Sequence, residues 1–287
     1  MPRNVPGISP AQRGYLRKTF RLLSAVSDAL AARLALALFV RPKRRELDAV
    51  DAPLLARARE HWGALGRGRI RILEWGDGPK SILLVHGWGS HAPRYSAFVE
   101  RILANGHRAV AFDAPAHGAS SGRQAGLAEF RAALDLVVAS RGPFRGVIAH
   151  SFGALAVAQW LAEQPPPVLP CVALVSMPRD VGYTLDSFLS VLGLSESVGA
   201  RVHQAFQHRF GRSAESLSAL PLAAQLRCPV LLVHDRDDDV VPVEQAEELL
   251  AQLPHGALHL TQGLGHSGML RDAPTVGAIL GFIEAGL

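Results

Sequence analysis

The sequence contains few cysteines and no spacing that is typical of a metal site. Its 287 residues include two cysteines, Cys171 and Cys228, and each of them begins an apolar run. A secreted scaffold held together by disulfides needs more cysteines than two, so we expect two buried free thiols. A disulfide between them would require that their strands are neighbours and that the compartment is oxidising. No H-E-x-x-H pair, Cys/His zinc spacing or EF-hand loop occurs. We therefore predict neither a metal nor a cofactor.

Basic residues are concentrated in the N-terminal part of the chain and are sparse elsewhere. The formal net charge is +5, and most of the excess comes from Arg13, Arg17, Lys18, Arg21 and the run RPKRR of residues 41–45. The remainder has no helix or ribbon that combines basic and aromatic side chains, as a nucleic-acid-binding surface does. We therefore predict no nucleic-acid partner.

No apolar run is long enough to cross a bilayer. In residues 20–40, FRLLSAVSDALAARLALALFV, Asp28 and Arg33 interrupt the pattern before about 20 apolar residues accumulate, and these charges also fit a signal peptide poorly. The apolar positions have helical spacing: Leu22, Val26, Leu30, Leu34 and Leu38. Three interpretations remain: a helix packed on the domain, a membrane-surface helix with basic flanks, or an export signal or anchor. We predict a cytoplasmic protein. If the segment is a membrane-surface helix, the protein would also be peripheral to a membrane.

From residue 69 onward, short apolar runs alternate with longer amphipathic stretches. The runs are RIRILEW, SILLVHG, RAVAFDA, GVIAHS, CVALVS, PVLLVHD and ALHLTQG. The stretches of helical length include YSAFVERILANG, LAEFRAALDLVVAS, GALAVAQWLAEQ and PVEQAEELLAQL. This alternation predicts an α/β fold whose mostly parallel sheet is covered on both faces and starts with an antiparallel pair. We predict a helical extension over residues 1–68 and the α/β domain over 69–287.

One connection is much longer than an ordinary crossover. It runs from Asp180 to about Leu226, between two apolar runs, and contains the helix-like pieces TLDSFLSVLGL and VGARVHQAFQHRF. Long connections of this kind are typical of segments that cover a binding site. We predict a small helical lid over residues 180–226 and no independent second domain.

A serine lies at the joint between a strand and a helix. Ser151 follows the apolar run GVIAH and precedes the helical stretch that begins at Phe152. In a parallel sheet, ligands bind beyond the carboxyl ends of the strands, and a tight turn there exposes the side chain and the N–H groups that follow it. The alternative is a serine that only caps the helix.

The residues around this serine resemble the nucleophile turn of the α/β-hydrolase family. That turn has the sequence G-x-S-x-G, and here it reads Ala149-His150-Ser151-Phe152-Gly153. Alanine replaces the first glycine, which adds one methyl group where strand and helix approach closely. We expect the fold to tolerate it with some strain. The resemblance covers about residues 69–287 and identifies the chain as an α/β hydrolase similar to serine esterases and lipases.

The acid and the base of a catalytic triad follow in the family's order. The run HDRDDDVVP, residues 234–242, resembles the family's G-x-x-D-x-x-V-P loop, and this alignment makes Asp238 the acid. Asp235 then takes the place of a turn glycine, which favours a structural role. His266, in the loop GHSG after the last apolar run, aligns with the family's histidine. Two more aspartates of the run, Asp237 and Asp239, are predicted to be solvated.

Two further loops resemble the family. VHGWGS, residues 85–90, is similar to the oxyanion loop, which implies that the N–H groups of Trp88 and Phe152 stabilise an oxyanion and that both side chains contact substrate. FDAPAHGASSG, residues 112–122, is similar to the D-x-x-G-H-G-x-S loop. In it Asp113 and His117 are expected to brace the loop, and His150 is not expected to be the base. The lid would add Phe188 and Phe206, as pocket lining or as lid packing.

The resemblance implies a serine hydrolase that cleaves small-molecule carboxylic esters through an acyl-enzyme intermediate. The same triad also serves thioesterases, amidases, acyltransferases and cofactor-free perhydrolases, and the fold also occurs as a non-enzymatic binding module. A peripheral membrane lipase is a further alternative, because of the N-terminal helix. The sequence leaves acyl chain length, stereochemistry and oligomeric state open.

Overall fold

A computed structural model of the chain describes residues 9–164 and 169–286. Residues 1–8 of the predicted N-terminal extension lie outside these ranges. The strands are β1 Arg59–Leu65, β2 Gly68–Trp75, β3 Ser81–Val85, β4 Arg108–Phe112, β5 Gly146–His150, β6 Val172–Val175, β7 Val230–Asp235 and β8 Gly256–Thr261. The helices are α1 Pro10–Val26, α2 Asp28–Phe39, α3 Ala52–Ala56, α4 Ser96–Ala104, α5 Leu127–Arg141, α6 Phe152–Glu163, α7 Val181–Leu192, α8 Glu196–Phe210, α9 Leu220–Ala223, α10 Glu244–Leu250, α11 Gly265–Gly268 and α12 Ala273–Ala285, with a 3₁₀ helix at Ala92–Tyr95.

All eight strands belong to one sheet, in the order β1-β2-β4-β3-β5-β6-β7-β8. The pairs β1–β2 and β2–β4 are antiparallel, and the strands from β4 through β8 are mutually parallel. Central strands such as β3 and β5 are buried on both faces, which explains their continuous apolar runs. The predicted α/β fold with an antiparallel start is confirmed.

The pattern analysis missed strand β1. This strand, Arg59–Leu65, lies at the edge of the sheet and alternates between exposed and half-buried residues, so it has no apolar run to reveal it. Its residues pair with β2 from Arg59 opposite Glu74 to Leu65 opposite Gly68. The sheet therefore starts ten residues before the boundary placed at residue 69, inside the segment that was predicted to be helical.

Two hydrophobic layers cover the two faces of the sheet. Alternate residues of one strand divide between them: in β3, Leu83 and Val85 face one layer, and Ile82 and Leu84 face the other. The first layer includes residues of α1, α2, α5, α6 and the helices between β6 and β7, whereas the second includes residues of α4 and α12. The N-terminal helices thus belong to the core of the α/β unit.

The N-terminal amphipathic stretch forms two helices. Ser27 has an extended backbone, and its side chain accepts a hydrogen bond from Leu30 N–H, so it ends α1 and caps α2. The residues that face the core are small or aromatic: Phe20, Ala31, Ala32, Ala35 and Leu36. The leucine and valine stripe lies on the exposed side over most of its length. None of the described helices has the length and apolarity to cross a membrane.

The connection between β6 and β7 is helical, as predicted. Helices α7, α8 and α9 lie within it, and α8 packs on α2. Side chains of Asp180 and Ser195 cap the N-termini of α7 and α8. The C-caps Gly193 and Gly211 adopt left-handed backbone angles that favour glycine.

The two cysteines are free thiols, although each lies at the start of one of two adjacent strands, β6 and β7.

Candidate active site

The structure brings Ser151, His266 and Asp238 into one hydrogen-bonded chain. His266 Nε2 lies 3.0 Å from Ser151 Oγ. On the other side of the ring, His266 Nδ1 lies 2.9 Å from Asp238 Oδ2 and 3.2 Å from Oδ1. Three loops that are far apart in the sequence therefore meet at the carboxyl edge of the parallel strands.

Ser151 occupies a strained turn between β5 and α6. Its backbone has φ 52° and ψ −125°, a conformation that costs a non-glycine residue on the order of 1–3 kcal/mol. Ala149, in place of the family's glycine, is fully buried in β5 and has no positive φ. Gly153 is required for a steric reason, because a Cβ there would overlap the carbonyl oxygen of His86. The strand, the turn and the loop of residues 85–90 are therefore in close contact.

Asp238 is held as a buried carboxylate. Its side chain has no exposed surface, and Oδ1 accepts the N–H groups of Val240 and Val241, both at 2.9 Å. Burial alone would raise the pKa of Asp238, but the hydrogen bond and charge of His266 and these N–H donors lower the pKa to about 2. The group is therefore ionised at neutral pH and oriented towards Nδ1 of His266.

Asp235 connects the acid loop to the histidine loop. Its carboxylate accepts Thr261 Oγ1 at 2.7 Å, Leu264 N at 3.1 Å and Gly265 N at 3.0 Å. The side chain is buried, which by itself raises the pKa of Asp235, but these donors lower it. The predicted structural role of Asp235 thus takes a specific form, because it fixes the residues directly before His266. The signal that could have found it is an acid in place of a turn glycine.

The other two aspartates of this run lie at the surface. Asp237 is exposed and accepts Gly263 N–H at 3.1 Å, and Asp239 is exposed as well. Within residues 9–164 and 169–286, no group of His, Cys, Asp and Glu side chains has the arrangement of a metal site.

His150, next to the serine, contacts the backbone of the histidine loop. Its Nε2 lies 2.8 Å from the carbonyl oxygen of His266, and the two rings are 4.9 Å apart. Burial lowers the pKa of His150 to about 3, so the ring is neutral and donates this bond. It makes no hydrogen bond to Ser151 Oγ among the described contacts, and sequence reasoning did not find its contact with His266.

The loop of residues 85–90, which the resemblance predicts to form an oxyanion hole, is fixed by the ring of His86. Its Nε2 accepts Ala114 N–H at 3.0 Å, and its Nδ1 donates to the carbonyl oxygen of Gly87 at 2.7 Å. The backbone N–H groups of Trp88 and Phe152 make no hydrogen bond within the described part of the chain. Phe152 follows Ser151 directly, and Gly87, which precedes Trp88, is so close to the serine that an added Cβ would lie 3.0 Å from the Cβ of Ser151.

The loop of residues 112–122 is braced by Asp113. This carboxylate accepts the N–H groups of Ala92 and Ala119, both at 2.8 Å, and forms an ion pair with Arg71 at 2.7 Å. His117 is buried and lies edge-on to Trp88, at a ring distance of 5.3 Å. Neither makes a hydrogen bond to Ser151 among the described contacts, and the bonds of Asp113 agree with the predicted bracing.

A cavity of about 1220 Å³ opens onto Ser151. Its walls include Trp88 and Phe152, the two predicted substrate contacts, and both lid phenylalanines, Phe188 and Phe206. The sequence analysis did not identify Phe39, at the end of α2, as a residue of this site. Its ring stacks on Trp88 with 6.3 Å between ring centroids, and it lies 5.6 Å from the ring of Phe188 and 6.5 Å from that of Phe206. The N-terminal helices therefore form part of the pocket wall.

Comparison with known proteins gives the family. A sequence profile described as the Alpha/beta hydrolase family matches residues 82–278. The chain belongs to the α/β-hydrolase family. Among curated relatives, the pimeloyl-[acyl-carrier protein] methyl ester esterase of Nitrosomonas europaea is 27% identical over 241 residues, which are 70% of this chain and 94% of that protein. This α/β hydrolase thus has esterase-like relatives.

Solved structures share the fold of this α/β hydrolase. An esterase from Pyrococcus furiosus superimposes with a TM-score of 0.64 at 20% identity, and covers 86% of this chain and 97% of its own. A membrane phospholipase A, described as a bacterial virulence factor, superimposes with a TM-score of 0.63 at 20% identity over 93% of this chain and 98% of its own. At this identity the likeness concerns the fold.

Proposed function

We propose that this α/β hydrolase cleaves carboxylic esters, with Ser151 as nucleophile, His266 as general base and Asp238 as the acid of a triad. The observation that carries the proposal is the continuous chain of contacts from Ser151 Oγ through the ring of His266 to Asp238, at 3.0 and 2.9 Å. A serine hydroxyl is a weak nucleophile until an adjacent base accepts its proton.

The acylation step follows from this geometry. Nε2 of His266 accepts the proton as Ser151 Oγ attacks the ester carbonyl, and Asp238 stabilises the imidazolium through Nδ1–H. The N–H groups of Trp88 and Phe152 donate to the oxyanion, each worth about 10² to 10³ in rate. As the tetrahedral intermediate collapses, His266 returns the proton to the leaving alcohol, and the acyl group stays on Ser151.

Water completes the reaction in the same site. It attacks the acyl-enzyme while His266 accepts its proton; collapse then releases the acid and restores the Ser151 hydroxyl. The aromatic walls of the cavity favour an apolar acyl or alcohol group. The similarity to the Nitrosomonas methyl ester esterase also favours an ester over an amide.

The test combines covalent labelling with turnover. The parent protein is expected to react with a fluorophosphonate and to hydrolyse p-nitrophenyl butyrate, and Ser151→Ala is expected to lose both. The exposed Ser216→Ala, whose hydroxyl bonds only to the backbone of Ser213 in the described contacts, is the matched control and keeps both. A folded parent protein that remains unlabelled favours a binding module without catalysis. A panel of thioesters and amides beside the ester separates the thioesterase and amidase alternatives.

A further inference from the structure

Large apolar side chains are exposed on the N-terminal helices. Those that lie along α1 and α2 form what we call the N-terminal face: Tyr15 (72% exposed), Leu22 (71%), Val26 (81%), Leu30 (49%) and Leu34 (38%). Only four other large apolar side chains of the described residues reach comparable exposure: Leu47, Val50, Trp62 and Phe210. Single exposed leucines are ordinary, whereas a contiguous group of them marks an interaction surface.

Within each helix, the spacing places the exposed apolar residues on one side. Leu22 follows Tyr15 by seven residues and Val26 follows Leu22 by four, so the three side chains lie within a narrow sector of α1. Leu30 and Leu34 repeat the spacing of four on α2, beyond the bend at Ser27. The opposite side of the same helices already packs into the core. The exposed stripe therefore contributes nothing to folding that would explain its apolar character.

The charge of the protein is concentrated on the same segment. Residues 1–45 contain ten Lys and Arg and one acid, Asp28. Residues 46–287 contain 20 Lys and Arg and 24 Asp and Glu, a net charge of −4. On the helices, Lys18, Arg21 and Arg33 are exposed beside the stripe. Two copies of this face would repel each other, and nucleic acid would not bind leucine and valine. An anionic lipid surface complements both its charge and its apolar stripe.

The N-terminal face also borders the catalytic cavity. Tyr15 belongs to the stripe and to the cavity wall, and the neighbouring Leu16 lines the cavity as well. The basic run after α2 adds Arg41 and Lys43 to the same wall. A surface in contact with the N-terminal face therefore lies next to the opening that leads to Ser151.

We propose that α1 and α2 dock the protein on an anionic bilayer, with their axes in the plane of the interface and the N-terminal face in the headgroup and acyl boundary. The stripe supplies apolar burial and the flanking cations supply attraction to anionic lipid. Docking itself is independent of the proposed ester hydrolysis. One consequence rests on that function: the substrates are amphiphilic esters that enter the cavity from the membrane.

Vesicle co-sedimentation of the full chain tests the docking. Binding to vesicles that mix phosphatidylcholine with phosphatidylglycerol is expected to exceed binding to phosphatidylcholine vesicles by tenfold or more, and to weaken at high salt. Each cation near an anionic leaflet contributes roughly fivefold, so Lys18→Gln with Arg21→Gln should reduce the partition coefficient about 25-fold. Leu22→Ser with Val26→Ser should reduce it about tenfold or more.

Matched variants separate local effects from net charge. Lys80→Gln with Arg227→Gln removes the same charge elsewhere in the protein. Both residues precede parallel strands, β3 and β7, and so lie at the amino ends of the strands, whereas Ser151 lies at the carboxyl ends. This variant is expected to bind like the parent. Ser151→Ala is also expected to bind like the parent, so a failed hydrolysis proposal leaves this test intact.

Two results would overturn the docking. One is equal partition of the parent protein into both kinds of vesicle. The other is an equal loss of binding in the two charge variants. A concentration-dependent dimer that Leu22→Ser with Val26→Ser abolishes would assign the face to a second copy of the chain instead.

Discussion

The ring of His150 and the backbone of His266 are joined by a hydrogen bond, at 2.8 Å from Nε2 to the carbonyl oxygen. Because His150 directly precedes Ser151, this bond ties the serine turn to the histidine loop. His150 therefore helps to set the distance between Ser151 Oγ and His266 Nε2, although its own ring makes no hydrogen bond to Ser151 Oγ among the described contacts.

Removal of this bond is expected to slow the proposed ester hydrolysis while all three residues of the proposed triad remain in place. In His150→Ala the histidine loop loses its anchor, and we expect kcat to fall roughly 10- to 100-fold, since small misplacements of reacting groups cost rates of this size. His150→Gln retains an N–H donor of similar reach and should recover most of the loss. Steady-state kinetics and the pH profile of kcat measure the effect. If the glutamine and alanine variants are equally slow, the hydrogen bond is not the cause.

The carboxylate of Asp235 is expected to hold the histidine loop. In Asp235→Ala, the hydroxyl of Thr261 and the N–H groups of Leu264 and Gly265 lose a charged acceptor, which should cost about 2–4 kcal/mol in the free energy of unfolding. Denaturant titration and kcat measure it. The control is Asp237→Ala, at an exposed neighbour whose carboxylate accepts one N–H group among the described contacts, and it should stay close to the parent in both measurements.

Gly153 is expected to accept no side chain. A methyl group at this position would overlap the carbonyl oxygen of His86 and separate the loop of residues 85–90 from the serine turn. We expect Gly153→Ala to lose more than about 2 kcal/mol of stability and most of its activity. Gly281→Ala, in α12, has open space around the added methyl and should gain up to about 1 kcal/mol. Thermal unfolding and ester turnover compare the two.

Buried histidines are expected to make the fold sensitive to acid. Burial lowers the pKa of His86 to about 4, and of His117 and His150 to about 3, from 6.5. Below pH 6.5 the unfolded chain takes up protons that the folded chain does not, so the free energy of unfolding falls as the pH decreases. The stabilisation is complete above pH 6.5 and is lost as the pH approaches 3–4.

Denaturant titrations at a series of pH values check this dependence. His117→Phe retains an aromatic ring but removes one group that takes up a proton on unfolding. The free energy of unfolding of this variant should therefore fall less steeply with decreasing pH, by the contribution of one proton. The exposed His255→Gln should leave the slope unchanged. A parent protein of constant stability between about pH 6.5 and 4 would refute the assignment.

The sequence by itself determined the elements whose burial is periodic or complete. Strands such as β3 and β5 are buried on both faces and show it as apolar runs, and the loops that follow β5, β7 and β8 carry polar residues that a core would not accept. The order of those loops and their resemblance to the family's motifs together predicted which side chains meet, and the structure places His266 within hydrogen-bond distance of both Ser151 and Asp238.

Tertiary structure decided what depends on contacts between distant segments. Strand β1 is half exposed and is held by pairing with β2, so no local pattern marks it. Phe39 lines the cavity only because α2 packs on α8, and the leucine stripe is exposed because alanines take the buried side. Helical spacing shows that a face is apolar, whereas the neighbours that the fold supplies determine whether that face is covered.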